Sequence, residues 1–112
     1  MLKGLNDLAQ KFFQNAQDHG FYVSPPSFME RMMLVVSEVS EAVEHHRSGM
    51  DPKVTFLTGD NKDKPDGIPI ELADVLIRVL DACAYYGIDI EAAITRKHLY
   101  NVNRPYKHGK IA

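Results

Sequence analysis

The segment ELADVLIRVLDACAYYG, residues 71–87, constrains the fold more than any other part of the chain. It reads as a helix that is apolar on two sides. Ala73, Leu76, Ile77, Leu80 and Ala84 line one side; Leu72, Val75, Val79, Cys83 and Tyr86 line another. Such a helix needs packing partners in two directions. Yet it carries Glu71, Asp74, Arg78 and Asp81, and acids in a helix of this kind require compensation. A chain of 112 residues builds one domain with one modest core. Covering both sides predicts either a homodimer or larger oligomer with this helix near the interface, or a second side covered by the N-terminal helix and the long loop.

The remaining pattern is helical. Leu5, Leu8, Phe12 and Phe13 predict a helix from about residue 5 to 18, with Asn6 or Asp7 near its start and Gly20 beyond its end. Ser27 and Glu30 match a capping box for a second helix running to about Arg47. Its seam is Met32, Val36, Val39 and Val43. Pro69 suits the first turn of the third helix, which Gly87 ends. Asp89 caps a fourth helix reaching about Asn103, before Pro105. The fold class is all-α, a bundle of about four helices in a single domain, completed across a homo-oligomer interface. Residues 49–69, GMDPKVTFLTGDNKDKPDGIP, hold no sustained period, and a connection of that length is usually functional. Within it KVTFLT fits either a brief strand or simple packing.

Bulk properties exclude several function classes. A formal net charge of −2 gives no electrostatic case for nucleic-acid binding. A single cysteine, Cys83, excludes an internal disulfide framework and reads as a small core residue. There is neither a signal-peptide pattern at the N-terminus nor an apolar run long enough to span a membrane, so the expected location is cytoplasmic.

The acids carry the chemistry. Glu38 and Glu41 are three residues apart on the second helix, and Glu71 and Asp74 are three apart on the third. Three residues turn a helix by about 300°, so each pair occupies one face. Facing pairs would gather four carboxylates around one point, where a hard divalent cation such as Mg²⁺ relieves their repulsion. The same spacing also fits a solvated face. Glu71, Asp74, Arg78, Asp81 and Tyr85 fit a salt-bridged seam as well, with Arg78 in helical reach of Asp74 and Asp81. His45 continues the Glu41 face, as a ligand or as a partly exposed hydrogen-bonding group. A di-iron bundle would need Glu-x-x-His, and His45, His46 and His98 all lack that glutamate.

SEVSEAVEHH together with KPDGIPIELADVLIRVLDACAYYGIDIEAAITRKHLYNVNRPYKHGK resembles the MazG-like nucleotide pyrophosphohydrolases, of the all-α NTP pyrophosphatase superfamily. The likeness runs from the second helix to the C-terminus. It implies Mg²⁺-dependent cleavage (Mn²⁺ often substitutes) of a canonical or modified nucleoside triphosphate to the monophosphate and pyrophosphate, in a house-cleaning role. It implies that Glu38, Glu41, Glu71 and Asp74 hold the metal, that Glu38 or Glu41 orients the attacking water, and that the protein is a dimer or tetramer. Lys97, Asn101 and Arg104 share one face of the fourth helix and become candidates for phosphate contact, with Lys107, His108 and Lys110 closing from the tail. Phe12, Phe13, Phe21, Tyr22 and Tyr100 are candidates for stacking on a base, and Lys53 with residues 62–66 for a lid. Two other functions fit the same residues: phosphoribosyl-ATP pyrophosphohydrolase, and a non-catalytic helical dimer that binds nucleotide or regulates.

Overall fold

A computed structural model describes residues 4–105. Four helices dominate: α1 (Leu5–Asp18), α2 (Phe28–Arg47), α3 (Ile68–Tyr86) and α4 (Ile90–Val102). Between α2 and α3 lies a short hairpin, β1 (Phe56–Thr58) and β2 (Lys64–Asp66), antiparallel with Phe56 opposite Asp66. KVTFLT thus supplies a strand, a small departure from an all-α chain. No described helix is long and apolar enough to cross a membrane.

Local chemistry sets the helix ends. Ser27 and Glu30 form the reciprocal capping box, with Glu30 N–H donating to Ser27 Oγ at 3.2 Å and Ser27 N–H to Glu30 Oε1 at 3.1 Å. Gly67 precedes α3 at φ 117°, and a Cβ there would meet the Val54 carbonyl oxygen at 2.6 Å, so only glycine fits. Gly87 ends α3 in the left-handed region, with Ile88 N–H donating to the Cys83 carbonyl at 2.8 Å. Asp89 caps α4 by accepting from Ala92 N–H at 3.0 Å. Asn6 does not cap α1. Its Nδ2 donates to Asp89 Oδ1 at 2.9 Å and its Oδ1 accepts from Ile90 N–H at 3.2 Å, so it ties the start of α1 to the start of α4.

The apolar sides of α3 explain the layout. α3 packs against both α1 and α2, which places it at the centre, while α4 packs against α1. Ala9, Ala42, Ile68, Leu80, Ala82 and Cys83 form the buried core. The core is thin. No large side chain among the described residues is fully enclosed, and the Cα radius of gyration is 16.9 Å, against about 13 Å for a compact domain of ~100 residues. Leu72 and Leu76 of α3 are 51 % and 62 % exposed, and Val36, Val39 and Val43, the expected seam of α2, also face outward.

Candidate metal centre

The α2–α3 contact brings the acids together. Glu38 and Glu71 are each only 8 % exposed, Asp74 is half-buried, and one carboxylate oxygen from each lies within 4.8 Å of the others. Glu41, one turn along α2 from Glu38, sits outside that triple and is exposed.

Electrostatics follow from the crowding. Burial, then hydrogen bonding with Glu41 and Glu38 and their charges, pushes the Glu71 carboxyl up to about 8. Asp74 is also raised, by burial and then by the charge of Glu38, with Arg78 and Lys64 acting against the rise. Glu71 Oε2 is buried with no hydrogen-bond partner among the described residues. A buried acceptor in that state costs about 1–3 kcal/mol. Three carboxylates this close, one with a buried oxygen left without a partner among the described residues, are a donor set that fits a hard divalent cation such as Mg²⁺.

Two nitrogen-bearing side chains border the cluster. Arg78 donates from Nε to Glu38 Oε1 at 3.0 Å. The expected helical pairing of Arg78 with Asp74 or Asp81 is thus replaced by a bond across to α2, because the crossing helices put Glu38 at the guanidinium. His45 Nε2 lies 2.9 Å from Asp66 Oδ1 and 3.7 Å from Glu71 Oε1.

A cavity of about 310 Å³ opens beside the acids. Glu38, Asp74 and Arg78 line one part of its wall; Phe12, Phe21 and Tyr22 also line it. Three of the aromatics singled out for base stacking therefore share a cavity with two of the acids. Arg31 lines it too. This residue was not legible in the sequence, where it reads as one charge inside MERMML. It is 6 % exposed, donates from Nη1 to Tyr22 Oη at 2.9 Å, and lies 4.2 Å from the Tyr85 ring centroid. Tyr22 in turn donates to Asp81 Oδ1 at 2.7 Å.

The structure does not bring the fourth-helix candidates to the acids within one chain. Lys97 and Asn101 line a separate, shallow depression on α4, which shares no residue with the cavity. Lys97 Nζ and the Arg104 guanidinium lie 4.9 and 5.3 Å from the Tyr100 ring centroid. Lys107, His108 and Lys110 lie outside the described residues.

Comparisons with protein-family models, with curated proteins and with solved structures find no match to this chain.

Proposed function

We propose that this protein is a Mg²⁺-dependent nucleoside triphosphate pyrophosphohydrolase, with Mn²⁺ able to substitute, acting on canonical or modified (d)NTPs. The observation that carries the reading is the convergence of Glu38, Glu71 and Asp74 beside an aromatic-lined cavity. Clustered acids suit a cation that holds phosphates, and apolar rings suit a base.

Each residue has a role in this reading. Glu38, Glu71 and Asp74 hold the cation, and Glu41 contributes from the rim. A bound Mg²⁺ would stabilise charge on the phosphoryl oxygens and lower the pKa of the attacking water. Glu41 is exposed, which leaves its carboxylate accessible to a water proton. Attack at the α-phosphorus breaks the α–β bond and releases monophosphate and pyrophosphate. Arg78, at the cavity wall, offers a planar donor to the triphosphate.

The same proposal includes a homo-oligomer, a dimer or tetramer. Leu72, Leu76, Val36 and Val39 face outward, and apolar side chains left on the surface suit an interface between copies. Assembly also gives Lys97, Asn101 and Arg104 a route to the phosphates, from the α4 of a neighbouring copy.

The test is pyrophosphate release from a panel of NTPs and dNTPs with Mg²⁺, run beside Asp74→Asn. Release by wild type and its loss in the variant support the reading. With folded protein and no release from any nucleotide, the general nucleotidase reading is wrong. Phosphoribosyl-ATP is then assayed, and Mg²⁺ with nucleotide is tested for a melting-temperature shift that would mark a non-catalytic binder.

A further inference from the structure

The junction between the hairpin and α3 carries a second group of metal-ligating atoms. Asp66 and Glu71 flank the Gly67 turn, and His45 reaches them from the last turn of α2. One ligand atom from each of the three lies within 4.8 Å of the others. His45 Nε2 is 2.9 Å from Asp66 Oδ1 and 3.7 Å from Glu71 Oε1. Donors held about 2.1 Å from one cation sit about 3.0 Å apart at octahedral angles and about 3.4 Å apart at tetrahedral ones. The observed spacings bracket both.

Two further features favour a ligand here over a plain ion pair. Glu71 is only 8 % exposed, its Oε1 faces His45 Nε2 at 3.7 Å, and its Oε2 has no hydrogen-bond partner among the described residues, so this buried carboxylate is not satisfied by protein donors. The frame is also pre-set. Asp66 Oδ1 accepts from Gly67 N–H at 2.7 Å, at the turn where only glycine fits, and the Phe56 ring meets His45 edge-on with centroids 5.8 Å apart. Phe56 is the register partner of Asp66, so one hairpin rung holds both the ligand and the wall behind the imidazole.

We propose that His45, Asp66 and Glu71 form a mixed nitrogen–oxygen site for a divalent first-row transition ion such as Mn²⁺, adjoining the carboxylate cluster and sharing Glu71 with it. The imidazole sets its selectivity. Nitrogen ligation favours transition ions over Mg²⁺, which prefers oxygen alone. The proposal adds one cation to the reading above, and binding tests it without reference to turnover.

The experiment is Mn²⁺ titration of the full chain in excess Mg²⁺, read by electron paramagnetic resonance with pulsed detection of ¹⁴N coupling. Excess Mg²⁺ competes for the all-oxygen cluster, and ¹⁴N coupling marks the Mn²⁺ held at the mixed site. Wild type should show imidazole ¹⁴N coupling. His45→Gln should abolish it and weaken that Mn²⁺ by about 10-fold or more. His46→Gln, on an exposed neighbour, should leave it intact. Asp66→Asn should weaken the same Mn²⁺ while the coupling remains. Wild-type Mn²⁺ without ¹⁴N coupling, or coupling that survives His45→Gln, overturns the proposal and leaves His45–Asp66 as a hydrogen bond only. Should His45→Gln fail to fold, Asp66→Asn decides, and unchanged affinity of the nitrogen-coupled Mn²⁺ overturns it. Pyrophosphate release without coupling sinks this site alone; coupling without release sinks the nucleotidase reading alone.

Discussion

Arg78 on α3 donates from Nε to Glu38 Oε1 on α2 at 3.0 Å, so the carboxylate cluster carries its own internal counter-charge. The guanidinium cannot be deprotonated, and a cation approaching Glu38 must share that carboxylate with it. Arg78→Gln should therefore lower the stability of the metal-free protein by about 1 kcal/mol. It should also enlarge the melting-temperature rise caused by Mg²⁺. Thermal melts with and without Mg²⁺ check both; a smaller Mg²⁺ effect in the variant would show that Arg78 assists the cation.

Glu71 makes metal-free stability depend on pH. Its carboxyl is pushed from 4.5 up to about 8 by burial and by Glu41 and Glu38. Between those values the folded state holds a proton that the unfolded state has lost, so stability falls as pH rises. The stability is fully present below about 4.5 and this contribution is lost by about 8. Melts across that range should show the decline without divalent cation and much less of it with Mg²⁺. Glu71→Gln should flatten the metal-free profile and raise the melting temperature at the alkaline end, while losing the Mg²⁺ response.

Tyr22 should titrate late. Burial and its hydrogen bond to Asp81 push the phenol up to about 12, with Arg31 acting the other way. Ultraviolet titration of the folded protein should show a late tyrosinate that is absent in Tyr22→Phe. Since the folded value exceeds the ordinary 10, the contribution is present below pH 10 and is lost as pH rises toward 12.

Arg31 should matter for folding more than its charge suggests. It is buried, bonds the Pro26 carbonyl at 3.2 Å and Tyr22 Oη at 2.9 Å, and stacks on Tyr85. Arg31→Ala removes these contacts together and should cost about 3 kcal/mol in chemical denaturation. Arg31→Lys keeps the charge but not the planar fork, and should recover only part of that loss.

The exposed Leu72 and Leu76 of α3 should govern assembly. Wild type should sediment as a dimer or tetramer, and Leu72→Glu with Leu76→Glu should shift it toward monomer. A monomeric wild type would remove the assembly part of the proposed function.

Much of the helical layout was legible because it is local. Ser27 and Glu30 announce the start of α2, Gly87 the end of α3, and Asp89 the start of α4, since caps are settled within a few residues. The face shared by Glu71 and Asp74 follows from helical spacing in the same way. Asn6 shows the limit. It lies at the start of α1, as its place in the sequence indicates, yet its bonds go to residues 83–85 positions away, which no local pattern specifies.

The candidate site divides along the same line. By itself the sequence determined four helices, the N-caps of α2 and α4, the glycine end of α3, and the two acid pairs on α2 and α3, because 3.6-residue periodicity and capping chemistry act within one segment. Only the tertiary structure decided that Glu38, Glu71 and Asp74 form the tight triple with Glu41 at its edge, and that Arg78 bonds Glu38 across the helix pair. It also decided that His45 meets Asp66, that Arg31 is buried among tyrosines, and that α4 lies apart from the cavity within one chain. Those relationships depend on how helices cross and where a hairpin folds back. That is set by the packing of whole faces, not by the spacing of residues along any one helix.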